Sequence, residues 1–238
     1  MNSNRDQYGI YRQQDAATNA TFMSKVYFWM TMGLALSGLV AYGVLGSTEA
    51  MRFLLGNKIM FFGLIIAQFG AVIGLSMFIN RMSALLTTAV YLGYAVLSGI
   101  TFSVICLAFT SASIAQAFFV TAFAFVGLSI FGYVTKRDLG PIGSFCMIGL
   151  FGMIGLILVG FIFPSIMTNA MTMTINACGV IIFAGLTAYD TQKIKSYNVD
   201  VAGNPEMAKK MAISGALMLY LDFINLFLSI LQLTGDRR

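Results

Sequence analysis

From Met82 to Thr135 the chain reads MSALLTTAVYLGYAVLSGITFSVICLAFTSASIAQAFFVTAFAFVGLSIFGYVT, without one charged side chain. A helix crosses a bilayer core with about 20 apolar residues, so this run is too long for one span and must fold back on itself. Thr110-Ser111-Ala112-Ser113 is its natural turn. Leu139 to Tyr189 is also uncharged and also too long, and Pro164 to Asn169 marks the turn there. Working outward from these two runs, seven segments are long and apolar enough to span: approximately 26–45, 59–79, 84–108, 112–133, 142–163, 170–190 and 211–233. The fold class read from this pattern is an all-α integral membrane protein, a seven-helix transmembrane bundle.

Composition agrees. Of 238 residues, 58% are hydrophobic and 10% charged, where soluble domains carry about 25% charged residues. The reading divides the chain into a polar cytoplasmic tail, 1–25, and a single transmembrane domain, 26–238. Basic residues outnumber acids 14 to 9, but the excess lies in the loops, where it reports orientation and not nucleic-acid binding. Arg5, Arg12, Lys25, Arg81, Lys136, Arg137, Lys193, Lys195, Lys209 and Lys210 fall on one side of the seven-span topology, and Arg52, Lys58, Arg237 and Arg238 on the other. The richer side is cytoplasmic by the positive-inside rule. The N-terminus is therefore expected in the cytoplasm and the C-terminus across the membrane, although Arg237 and Arg238 pull the other way.

The chain has no histidine, which excludes histidine zinc sites, histidine triads and histidine proton relays. Cys106, Cys146 and Cys178 all lie in apolar runs and give neither a disulfide framework nor a metal spacing. No cofactor is expected.

Asp190 and Asp222 are the only ionisable acids inside membrane-length apolar segments. A carboxylate at the centre of a membrane helix costs about 2.5–3.5 kcal/mol on insertion scales, which makes such residues functional candidates. Each sits in a polar stripe. Asp222, Asn225, Ser229 and Gln232 are spaced 3, 4, 3 and fall within an arc of roughly 80° at 100° per residue. Thr172, Asn176, Gly179, Phe183, Thr187 and Asp190 share a similarly narrow arc on the preceding segment, and Thr87, Tyr91, Tyr94, Ser98 and Thr101 form a third stripe. Stripes of this kind suit helices around a polar cavity, with Asn225, Ser229, Asn176, Thr187, Tyr91 and Tyr94 as pore-lining candidates. They also suit helices joined by interhelical hydrogen bonds.

Two carboxylates sharing a low-dielectric site cannot both ionise easily, so one shared proton is favoured. Such a pair is a candidate proton-operated latch. Ionised, it offers oxygen ligands for transient Ca²⁺ binding, although Ca²⁺ takes six to eight oxygens and would need others. If the sixth segment ends just after Asp190 and the seventh starts at Met211, Asp222 lies roughly 16 Å deeper along its helix and the two do not meet. They meet if the sixth helix continues through Lys193 and Lys195, or if the seventh begins outside the membrane.

Phe183-Ala-Gly-Leu-Thr-Ala-Tyr-Asp190-Thr-Gln, Gly215-Ala-Leu-Met-Leu-Tyr-Leu-Asp222-Phe-Ile-Asn-Leu-Phe and Tyr133-Val-Thr-Lys-Arg-Asp138-Leu together resemble the Bax inhibitor-1 family, also called the transmembrane Bax-inhibitor-motif family, and its bacterial members in particular. The resemblance implies a bundle whose last helix is surrounded by the other six, in a bacterial inner membrane. It implies a pH-sensitive calcium leak with Asp190 and Asp222 as the di-aspartyl sensor and gate. It also implies a basic latch at the end of the second helix, for which Arg81 is the nearest match. Bacterial members are linked to a membrane-anchored protease, so a non-conducting regulator or partner of such a protease is the alternative. A remote alternative is an intramembrane aspartyl protease, since Tyr189-Asp190 resembles its first motif. Against it, Asp222 lacks a Gly-x-Gly-Asp setting and the chain has no Pro-Ala-Leu motif. The expectation is therefore a non-enzymatic membrane protein with the lipid bilayer as surroundings and Ca²⁺ as the candidate permeant ion.

Overall fold

A computed structural model of the chain describes residues 3–200 and 204–238, with side chains from residue 18 onward except 58, 61 and 198–200. Among the described residues eight α-helices follow one another: α1 (Ser3–Leu45), α2 (Thr48–Gly56), α3 (Lys58–Phe78), α4 (Ala84–Leu107), α5 (Ser111–Val134), α6 (Gly140–Ile162), α7 (Asn169–Asp200) and α8 (Pro205–Thr234). Six of them, α1 and α4 to α8, contain stretches long and apolar enough to cross a membrane. In α3 the apolar stretch found among the described residues is the shorter Phe62–Phe78.

The turns form where local chemistry favours them. Thr110 caps α5 by accepting from the Ser113 amide at 3.2 Å, and Ser83 caps α4 by accepting from Leu86. Asn204 accepts from Met207 at 3.0 Å, with Pro205 as the first residue of α8. Such caps satisfy amides that lack an intrahelical partner. A 3₁₀ turn, Pro164–Ile166, bridges α6 and α7. Four features differ from those read in the sequence. Helix α1 begins at Ser3 and not near 26, and α8 at Pro205 and not near 211. Helix α2 was not expected; it is a short amphipathic piece that buries Met51 and Leu54. Helix α7 does not stop at Asp190 but runs on to Asp200. Charged residues end the apolar stretch of a helix but do not end its backbone hydrogen bonding, and Lys and Gln are good helix formers.

Hydrogen bonds show which turns lie at the same end of the bundle. Lys210 Nζ donates to Met82 O at 3.1 Å, joining the start of α8 to the α3–α4 turn. Gln192 Nε2 donates to Arg137 O and its Oε1 accepts from the Leu139 amide, joining α7 to the α5–α6 turn. Arg81, Lys136, Arg137, Lys193, Lys195, Lys209 and Lys210 therefore gather at one end. At the other end, the four residues after α8 pair with the α4–α5 turn. Thr110 donates to Asp236 O, Arg238 donates to Ala108 O, and Phe109 and Arg237 form an antiparallel bridge. Helix α8 thus runs the full distance between the two sets of turns.

Helix α8 is the most enclosed. Sixty-one per cent of its apolar window is buried, against 11–33% in the other five long helices. It packs against α7, α1, α5, α4 and α3. Its Ile213, Ala216, Leu219, Tyr220 and Leu231 have essentially no exposed surface. The remaining helices turn large apolar side chains outward, such as Ile59, Phe123 and Ile148, as a bundle solvated by lipid does. Cys146 is buried, Cys106 half-buried and Cys178 exposed on an apolar face; all three are free.

Candidate functional site

Asp190 lies ten residues before the end of α7 and Asp222 seventeen residues into α8. Ile194 of α7 meets Gly215 of α8, so the hairpin brings the two aspartates to within about one helical turn of each other in depth. Each carboxyl group lies in the other's electrostatic surroundings across the α7–α8 contact. Asp222 is 4% exposed, and Asp190 is half-buried at the side nearer the basic turns. Asp222 Oδ2 has no partner among the described residues, and neither has the buried Thr191 Oγ1 beside Asp190. A hydrogen bond between two carboxyl groups requires a proton on one of them.

The helices hold this contact by close backbone approach. A β-carbon on Gly132 of α5 would collide with the Ala188 carbonyl of α7, two residues before Asp190. A β-carbon on Gly143 of α6 would enter the Tyr189 ring. Small residues at helix crossings let membrane helices pack through their backbones. By contrast, Gly70 and Gly74 of α3 have nothing near their missing β-carbons.

Lys193 is the cation in the electrostatic surroundings of Asp190, and its Nζ stands 5.6 Å from the Tyr189 ring centroid. Arg81 is exposed in the α3–α4 turn, and among the described residues no ion pair joins it to Asp190. The residue that the sequence reading passed over is Lys210. It was counted as a loop charge, yet it is 6% exposed, with its ammonium on the Met82 carbonyl. Only its place next to an apolar run distinguishes it in the sequence from Lys209.

The pore-lining candidates all sit on inward or half-buried faces, but their polar atoms are engaged locally. Thr187 donates to Phe183 O, Asn225 to Leu221 O and Ser229 to Asn225 O, each one turn back. Asn176 donates to Thr172 O and reaches Gln232 Oε1 at 3.4 Å. Tyr91 donates to Trp29 O at 2.8 Å, and Tyr91 and Tyr94 both pack edge-on against Tyr220. The Tyr220 hydroxyl in turn meets Ser37 Oγ at 2.6 Å. Here the stripe on α4 joins α1, α4 and α8 by hydrogen bonds and aromatic contacts.

No group of three or more acids or cysteines that could hold a metal occurs among the described residues. Two aspartates supply at most four carboxylate oxygens, short of the six to eight of a resident Ca²⁺ site. The arrangement suits transient contact with a passing cation better than storage.

Known proteins match the chain along its length. The family described as inhibitor of apoptosis-promoting Bax1 matches residues 19–238. The inner membrane protein YbhL of Escherichia coli K12 is 43% identical over 226 residues, covering 94% of this chain and 95% of the relative. A Deinococcus radiodurans protein is 37% identical over the whole of both chains. A Borreliella burgdorferi protein is 37% identical over 226 residues, covering 95% of this chain and 96% of its own. With its apolar helices and its pair of aspartates, the chain belongs to the Bax inhibitor-1 family of multi-pass membrane proteins.

Proposed function

We propose that this protein is a pH-sensitive leak channel for Ca²⁺, gated by Asp190 and Asp222. The bundle has seven spans, with α3 as the seventh and α8 at the centre, and sits in a bacterial inner membrane with its N-terminus in the cytoplasm. The observation that carries this reading is a buried carboxyl group facing a second one across the α7–α8 contact. In that setting a shared proton holds the helices together. Its loss leaves two negative charges that repel each other or attract a cation. Placement in the inner membrane draws support from the similarity to YbhL, and the orientation from the basic turns gathered at one end.

The test is Ca²⁺ influx into proteoliposomes of the purified protein across a pH series. Wild-type flux is expected to change with pH, and flux through the Asp190→Asn, Asp222→Asn double variant to lose that response. A double variant that keeps the full pH response would overturn the gating role.

One observation favours a second reading, in which the protein is a non-conducting regulator or partner of a membrane-anchored protease. The pore-lining candidates are bound into the bundle, and the large cavity of about 940 Å³ is apolar and does not include either aspartate. Absence of flux at every pH, together with a change in protease turnover of a membrane substrate when residues 1–20 are deleted, would select it. The arrangement gives least support to an intramembrane aspartyl protease, because Asp222 is closed off from any peptide backbone.

A further inference from the structure

Helix α1 packs on α4 and α8, and α5 on α7 and α8, leaving a groove between α1 and α5. It runs from Ala20 to Gly38 on α1 and from Phe118 to Val134 on α5, with Phe223 of α8 as its floor. Val126 and Ile130 stand exposed on its rim, so it opens sideways toward the hydrocarbon. We infer that this groove is a binding site for one anionic diacyl phospholipid, with its headgroup at the Tyr133 end. The inference is independent of whether the aspartate pair conducts ions.

Shape selects the acyl chains. Residues 20–38 of a helix rise about 27 Å, so a volume of about 940 Å³ gives a mean cross-section of about 35 Å². A helix with its side chains is at least 10 Å across, or roughly 80 Å², which is too wide. A polymethylene chain is about 4 Å across at van der Waals contact, or roughly 15 Å², so two fit side by side.

Charge selects the headgroup and its direction. Lys195 Nζ lies 4.5 Å from the Tyr133 ring centroid and donates to Tyr133 O at 2.9 Å. An ammonium has three donors, so two remain. Lys25, next to the lining residue Ser24, is exposed, as are Lys136 and Arg137 just beyond Val134. Among the described acids at this end, Asp138 accepts from the Gly140 amide, Asp190 lies beside Asp222, and Glu206 is exposed in the first turn of α8. Among the described residues no charged side chain lines the groove itself; Lys25, Lys136, Arg137 and Lys195 stand just beyond its Tyr133 end.

A third observation lies one turn below Tyr133. Ser129 lines the groove and is 6% exposed, yet its Oγ has no hydrogen-bond partner. Thr121, Thr187 and Ser229 all donate to the carbonyl one turn back, and Ser129 does not. Rotation of this side chain toward the groove would let an ester oxygen below the headgroup supply the acceptor.

Native mass spectrometry of the full chain, released from mild detergent and titrated with phosphatidylglycerol or phosphatidylcholine of the same acyl chains, tests this. Wild type is expected to take up one phosphatidylglycerol, about fivefold more tightly than phosphatidylcholine. Gly38→Phe adds a ring where a β-carbon meets nothing within 4 Å; it should weaken both lipids about tenfold while circular dichroism stays unchanged. Ala122→Phe, in the middle of the groove, should do the same. Lys195→Gln should abolish the preference for the anionic lipid, and Lys195→Arg should keep it. Lack of saturable one-to-one lipid binding by wild type would overturn the proposal. So would wild-type affinity in both groove-filling variants, or a co-purifying polypeptide cross-linked to the groove in place of lipid.

Discussion

Asp222→Asn is expected to remove most of the pH dependence of thermal unfolding and to raise the midpoint in alkaline solution, by about 2–8 °C. The sign follows from the contact. In acid, the two carboxyl groups share a proton and attract each other, so an amide in place of Asp222 changes little. In alkali, both sites are driven to ionise side by side within the bundle. Two unit charges 4 Å apart repel by about 4 kcal/mol at an effective dielectric constant of 20. Part of that is relieved when the groups separate, leaving about 1–2 kcal/mol, and each kcal/mol shifts the midpoint by about 2–4 °C in a domain of this size. Asparagine keeps the shape, carries no charge, and can donate its amide to Asp190. Parallel midpoint-against-pH curves for variant and wild type would mean that the aspartates do not interact.

The second large effect belongs to Gly132→Val. The added β-carbon meets the Ala188 backbone carbonyl, and a backbone cannot move aside as a flexible side chain can. Overpacking typically costs about 1–3 kcal/mol, and a β-branched residue against a carbonyl falls at the upper end. The midpoint should therefore fall by about 5–10 °C. The wedge also separates α5 from α7 at Ala188, next to Tyr189 and two residues before Asp190, so the aspartate contact should weaken with it. Gly74→Val is the matched control. Nothing lies near its missing β-carbon, and its midpoint should stay within a degree or two of wild type. Equal behaviour of the two variants would show that the α5–α7 contact is not close.

Much of this architecture can be read from the chain because lipid is an unforgiving solvent for backbone and charge. The uncharged runs from Met82 to Thr135 and from Leu139 to Tyr189 leave no choice but to turn, and Thr110 and Pro164 mark where. Asp190 and Asp222 stand out because a carboxylate among Leu, Phe and Ala is costly. What could not be read has equally specific causes. The relative depth of the two aspartates stays open in the sequence because Lys193 and Lys195 end the apolar stretch there, and only the structure shows the helix carrying them past the membrane segment. The stripes at Thr187, Ser229 and Tyr91 could not be divided between pore and packing, because a hydroxyl that bonds one turn back has the same spacing as one that faces a cavity. The α1–α5 groove was invisible because Phe118, Phe125 and Phe223 read alike whether they meet lipid, a neighbouring helix or a bound acyl chain.

Infrared difference spectroscopy of the protein in lipid, comparing acid with alkaline buffer, tests directly whether Asp190 and Asp222 share a proton, as the proposed latch requires. A protonated carboxylic acid absorbs apart from a carboxylate. Wild type should show a buried carboxylic-acid carbonyl band in acid that is lost in alkali as a carboxylate band grows, and both changes should vanish in Asp190→Asn and in Asp222→Asn. A wild-type difference spectrum without that band, or one that survives in both variants, would contradict the shared proton and the latch built on it.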